Sequence, residues 1–273
     1  MMETPWLEEC KTQVAKALQQ DRVPHAWLIT GVRGLGKVEF ARFVSAVLLR
    51  ESLLETGDWT AAGEFADGHP DFEELTPADG KASISVDQVR GLSRSLTLKS
   101  HQGQRKVALL YPAEAMTHSA ANSLLKTLEE PPGDSVLILV SDHWSKLPAT
   151  VLSRCQRLLV SKPAPTDALQ WLVAQEDGPN WELALRLTQG APLEALKWHR
   201  QGRLELALSL LKDVAKIIRG EISPSQSAPR WEKAGPWSLV CLEAWAQEGI
   251  KLKSGVPESE LGLNALGLDL QEL

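Results

Sequence analysis

The chain has little that would tie it together covalently or hold it in a membrane. Its 273 residues include three cysteines, Cys10, Cys155 and Cys241. They are far apart and odd in number, which argues against a disulfide framework and for a reducing cytoplasm. No apolar run reaches the length of a membrane span, so no membrane partner is expected. The first nine residues are acidic and lack a signal-peptide core. A basic excess is also missing. The net charge of −6 argues against a chain that binds nucleic acid alone through a broad basic surface, and leaves a local patch open. There is no internal repeat. What is present, 43% hydrophobic and 23% charged residues, suits a soluble globular protein of two or three domains with a sizeable core. Ten tryptophans, scattered from Trp6 to Trp245 without periodicity, read as separate packing anchors.

From Trp6 to about Ser161, strand-like runs alternate with helical ones. Strands are expected over 26–30, 107–110 and 136–140, and helices over 38–50 and 83–98. Residues 120–132 form a further helix, with Ala121, Leu124, Leu125 and Leu128 on one face. Pro131-Pro132 stops it, because proline lacks the amide proton and restricts the residue before it. A loop and short helix then lead to Ser153-Arg154-Cys155 at the domain edge. This alternation predicts an α/β fold, a parallel sheet covered by helices. From Lys162 the strands vanish. Pro163-Ala164-Pro165 makes a linker, and helices are expected over 166–175, 181–189, 193–200, 204–219 and 237–253. Residues 223–236, rich in Ser and Pro, read as a flexible loop. The expected domains are 1–162, 163–203 and 204–273.

Gly31-Val32-Arg33-Gly34-Leu35-Gly36-Lys37-Val38 follows a strand and opens a helix, the setting of a phosphate-binding P-loop. Gly31, Gly34 and Gly36 let backbone amides converge on phosphate oxygens, and Lys37 bridges the outer ones. The last position should carry a hydroxyl for magnesium, and Val38 has none. The acidic pair expected after the strand at 107–110 is missing too, since Tyr111 and Pro112 stand there. Glu114 comes three residues late. The architecture is therefore that of a P-loop protein that does not hydrolyse ATP. The plainer reading of Lys37 is a lysine satisfying carbonyls or an anion in an empty loop.

Residues 109–132, Ser153-Arg154-Cys155 and the Gly31 loop together resemble the ATPase core of the AAA+ clamp loaders. An intact member reads Asp-Glu-Ala, then Met-Thr, Ala, Asn and Leu-Leu-Lys-x-Leu-Glu-Glu-Pro-Pro. This chain keeps Ala113, Met116, Thr117, Ala120, Asn122 and Leu124 through Pro132, and departs at Tyr111 and Pro112. That pattern of loss is similar to the delta-prime branch in bacterial DNA polymerase III. His25-Ala26, Gly68-His69-Pro70-Asp71, Val86-Asp87-Gln88-Val89-Arg90 and His101-Gln102-Gly103 add to the likeness, which covers about residues 6–200.

The resemblance implies an AAA+ P-loop domain over 1–162, a helical lid over 163–203 and a helical collar over 204–273, the collar short for the family. The collar joins five subunits in an open ring. Implied partners are an ATPase subunit and a delta-like subunit, with the sliding clamp and primed DNA reached through the complex. Arg154, with Ser153 and Cys155 in the interface, matches an arginine finger that serves a neighbour's ATP site. The implied function is a non-hydrolysing clamp-loader subunit in DNA replication, inactive alone, within a holoenzyme classed as a DNA-directed DNA polymerase. No cofactor is expected, because ATP belongs to the neighbours. Many relatives hold zinc on four cysteines, but 51–68 contains none and His69 alone makes no four-ligand site. ATP-hydrolysing relatives also carry a lid arginine near the place of Leu193.

Several residues admit a second reading. Arg154 could pair with a surface carboxylate. Glu129-Glu130 could be a solvated helix end, but negative charge there opposes the helix dipole and calls for compensation. Lys99, Arg105 and Lys106 read as an ordinary charged loop before a DNA-facing patch. The leucines at 261–273 read as collar packing before a clamp-binding tail. An active AAA+ ATPase subunit is the alternative function, and a P-loop small-molecule kinase a more distant one. Val38, Tyr111 and Pro112 oppose the first. The second lacks a visible magnesium-binding residue and an arginine-bearing lid.

Overall fold

Runs of Val, Leu and Ile with no charge to solvate make the centre of the sheet in the first half of the chain. A computed structural model describes residues 4–50, 69–101, 105–178 and 180–255. These fall in two compact units, Met1–Lys162 and Pro163–Leu273. The described residues of unit 1 hold five strands: β1 (Ala26–Thr30), β2 (Phe72–Leu75), β3 (Lys106–Leu110), β4 (Ser135–Ser141) and β5 (Gln156–Leu159). All pair in parallel in the order β2-β3-β4-β1-β5. Leu28 stands opposite Leu139 on one side and Arg157 on the other, which fixes the register of β1 between its neighbours.

The α-helices among its described residues are α1 (Glu8–Gln19), α2 (Lys37–Leu49), α3 (Val86–Thr97), α4 (His118–Glu129) and the single turn α5 (Ala149–Leu152). Side chains alternate along each strand, so both faces need cover. Ala26, Leu28, Ala108, Leu110, Leu137 and Leu139 share one core with Val89 and Leu92 of α3, Leu124 and Leu128 of α4, and Val151 of α5. The alternate residues Trp27, Ile29, Leu109, Ile138 and Val140 are buried outside that core. Helix α2 packs on β1, β3 and β4. Each leucine fully removed from water contributes about 2 kcal/mol before entropy is counted. Helix α3 starts at a reciprocal cap. The Gln88 amide donates to Ser85 Oγ at 3.3 Å, and the Ser85 amide to Gln88 Oε1 at 3.1 Å.

Unit 2 is helical throughout its described residues: α6 (Pro165–Gln175), α7 (Trp181–Leu187), α8 (Pro192–Arg200), α9 (Arg203–Ile218), α10 (Pro224–Ala234) and α11 (Pro236–Lys253). The loop expected over 223–236 is instead helix α10. Pro224 sits at its first turn, where a missing amide proton does no harm. The Ser223 amide donates to Gln226 Oε1 at 2.8 Å, and Arg230 Nη1 reaches both carboxylate oxygens of the buried Asp213 on α9, at 2.7 and 2.9 Å. The helix keeps these contacts although Pro229 removes a hydrogen bond from its interior. No described helix is long and apolar enough to cross a membrane.

Candidate functional site

The glycine loop lies where the sequence places it, between the end of β1 and the start of α2. Gly31 has a φ of 150°, and a Cβ there would stand 2.5 Å from the Val160 carbonyl oxygen. Gly34 and Gly36 have φ of 82° and 81°, and Gly36 is the N-cap of α2. All three positions therefore require glycine. The loop is braced from outside by Trp6, whose indole donates to the Leu35 carbonyl at 2.9 Å.

Lys37 does not face open solvent. It is 3% exposed, its ammonium lies 2.6 Å from Asp142 Oδ1, and it donates to the Val32 carbonyl at 2.6 Å. Asp142 follows β4 and is 13% exposed. A buried ammonium needs such partners, because desolvation strongly disfavours an unpaired charge. The lysine that would meet a phosphate thus already has a carboxylate. Around it, Val38 has no hydroxyl, and Tyr111 and Pro112 stand at the end of β3 in the acidic positions. The Tyr111 phenol is pushed above its ordinary range, first by burial and then by the charge of Asp142, with Arg33 opposing. The carboxylate facing the loop, Asp142, is paired with Lys37, and neither Val38 nor Pro112 offers a side-chain oxygen to magnesium.

Glu114 has a different task from a catalytic acid. Its Oε1 accepts the backbone amides of Asp142 and His143, at 3.0 and 3.1 Å, and so fixes the turn that presents Asp142 to Lys37. Asp71 of the His-Pro-Asp segment is buried and takes Ser100 Oγ at 3.0 Å and the His101 amide at 2.8 Å. His69 Nδ1 accepts the Asp71 amide at 3.2 Å. Residues 51–68, to which the zinc expectation applied, lie outside the described residues. Two of the three basic residues near β3 have partners of their own. Arg105 Nε pairs with Asp134 at 3.1 Å, and Lys106 Nζ donates to the Ser95 carbonyl at 2.9 Å.

The Ser153-Arg154-Cys155 turn follows α5. Cys155 packs against the core beneath α4 and α5, and burial pushes its thiol up to about 12. That leaves it a protonated packing group near neutral pH. Ser153 is exposed, and Arg154 is 34% exposed. Arg154 Nη1 donates to the Thr150 carbonyl at 2.9 Å and to Ser153 Oγ at 3.2 Å, and Nη2 forms an ion pair with Glu129 Oε1 at 2.6 Å. None of these partners belongs to the loop around Lys37. The two groups are separate: one cation neutralised inside the fold, one held at its surface. Leu193 is the second residue of α8 and is partly buried.

Sequence reasoning missed Asp142 as the partner of Lys37. A usable signal was its place just past the carboxyl end of a buried parallel strand, where α/β sheets gather functional side chains.

A family model described as DNA polymerase III, delta subunit, matches residues 6–164. The DNA polymerase III subunit delta' of Pseudomonas aeruginosa is 37% identical over 237 residues, which cover 83% of this chain and 70% of that protein. The subunit delta' of Haemophilus influenzae is 32% identical over 271 residues, 94% of this chain and 81% of that protein. A solved DNA polymerase III gamma subunit-related protein of Thermotoga maritima aligns at 24% identity and a TM-score of 0.48, covering 93% of this chain and 76% of that one. That last likeness is too loose to bear on the assignment. The two delta' relatives, together with the match to residues 6–164, show that the chain belongs to the DNA polymerase III subunit delta' family, within the AAA+ clamp loaders.

Proposed function

We propose that this chain is the non-hydrolysing, delta'-type subunit of a DNA polymerase III clamp loader and lends Arg154 to the ATP site of a neighbouring ATPase subunit. The observation that carries the reading is the contrast between two cations. Lys37, in the loop where a hydrolysing subunit would hold its own nucleotide, is buried against Asp142. Arg154, on a turn rooted in the core by Cys155, is partly exposed. A guanidinium supplied from a neighbour stabilises the charge that develops on a transferred phosphoryl group, by about 10³-fold or more in rate. In this role the chain needs no resident nucleotide, magnesium or zinc. Its partners are an ATPase subunit and a delta-like subunit in the cytoplasm, with the sliding clamp and primed DNA met through the assembled ring. Residues 163–203 serve as the lid and 204–273 as the collar.

The test has two arms. The purified chain with magnesium and ATP should give no phosphate release above background, with or without primed DNA. The same chain should assemble with the ATPase and delta-like subunits of its own cell and support clamp loading. Magnesium-dependent turnover by the lone chain that disappears in Lys37→Ala would overturn the reading. So would failure to enter the complex.

A further inference from the structure

We propose that Glu129 is a positioning residue for Arg154, holding its guanidinium at the edge of the domain with donors left over for a phosphate. The inference rests on the reading of Arg154 as a trans-acting finger and deepens it.

A free arginine on a surface turn would sample many rotamers, and ordering it at a neighbour's site would cost that entropy. Here the ordering is done in advance. Three points fix the group: the Thr150 carbonyl and Ser153 Oγ on Nη1, and Glu129 Oε1 on Nη2 at 2.6 Å. A guanidinium carries five N–H donors. The two Nη1 bonds leave Nε and Nη2 without a hydrogen-bond acceptor among the described residues, Nη2 being paired only in charge with Glu129. Nε and Nη2 are adjacent nitrogens of a planar fork, a pair that can take a phosphate through two parallel hydrogen bonds. The anchor can therefore stay in place while the finger works.

Glu129 can serve as an anchor because its own helix is fixed. Thr117 Oγ1 caps the start of α4 by accepting the Ala120 amide at 3.2 Å, and Leu124 and Leu128 lie in the core. Glu129 is the last residue of α4. A carboxylate there opposes the helix dipole, so its presence calls for a cation close by. Arg154 is that cation. The same pair meets the electrostatic need of the helix end and orients the arginine.

The test uses the reconstituted complex and its DNA-stimulated ATPase, with this chain wild type, Glu129→Ala, Glu129→Gln, Arg154→Ala or Glu129→Ala/Arg154→Ala. Assembly of each is checked by size exclusion. Glu129→Ala should lower turnover by about three- to fivefold, the scale of a partly exposed ion pair. Glu129→Gln should recover only a small part of the loss, since its amide oxygen keeps a partial negative charge beside Nη2 and loses the full one. In the Arg154→Ala background Glu129→Ala should change nothing, because it acts only through the arginine. Unchanged turnover in Glu129→Ala, beside a fall in Arg154→Ala, overturns the positioning role alone. A rise in Glu129→Ala also overturns it, by making the pair a restraint. A loss that persists in the double variant assigns Glu129 to the stability of α4 instead. No effect of Arg154→Ala takes down the finger reading, and this inference with it.

Discussion

Lys37 is among the most buried charges of the described residues, and its environment bears on what the glycine loop can do. Two oxygens at 2.6 Å, one of them from a carboxylate, satisfy an ammonium that is 3% exposed. Removing one member leaves the other buried and unpaired, at a cost of about 3–5 kcal/mol, whereas removing both leaves no orphan charge. Asp142→Leu and Lys37→Met should each lower the free energy of urea unfolding by roughly that amount. The double variant should be more stable than either single one. Additive losses would mean that the two groups do not depend on each other. The glycines and the lysine were legible in the sequence because backbone geometry demands them at fixed spacing. Asp142 was not, because its role depends on a fold contact between residues far apart along the chain. The need to compensate Glu129 could be read from its place at a helix end. That Arg154 supplies the compensation could be read only from the structure.

Elements divide by burial in the same way. Strands β1, β3 and β4 could be read directly, since apolar runs mark strands buried on both faces. Strands β2 and β5 could not. They are the sheet edges, and Glu73-Glu74 and Gln156-Arg157 break the apolar pattern. Helix α10 was hidden for a different reason. Its Ser and Pro content reads locally as loop, and its contacts with α9, above all Arg230 with Asp213, are tertiary. Where a local device was complete, it was decisive. Ser85 and Gln88 cap α3, which brings Val89 and Leu92 onto the sheet. Ser85→Ala should lower stability by about 1 kcal/mol, visible as a lower midpoint in urea with an unchanged slope. No shift in the midpoint would show that tertiary packing alone fixes the start of this helix.

At the scale of the whole molecule, the chain has the loop of an ATP-binding protein without the groups that hold magnesium there. Under the proposed function, the consequence of that pattern lies in another subunit's site. An arginine that serves a neighbour should be separable from the folding of its own chain. Arg154 is partly exposed, and its polar contacts among the described residues are with Glu129, Thr150 and Ser153. The measurement that tests this most directly is steady-state ATP hydrolysis and clamp loading by the reconstituted complex carrying Arg154→Ala. The complex should assemble normally, and both rates should fall. The fall should be smaller than the roughly 10³-fold of a single finger-dependent site, because other subunits carry sites of their own. Arg154→Lys should recover little, since lysine keeps the charge and loses the planar fork. Normal assembly with wild-type rates in Arg154→Ala would contradict the account.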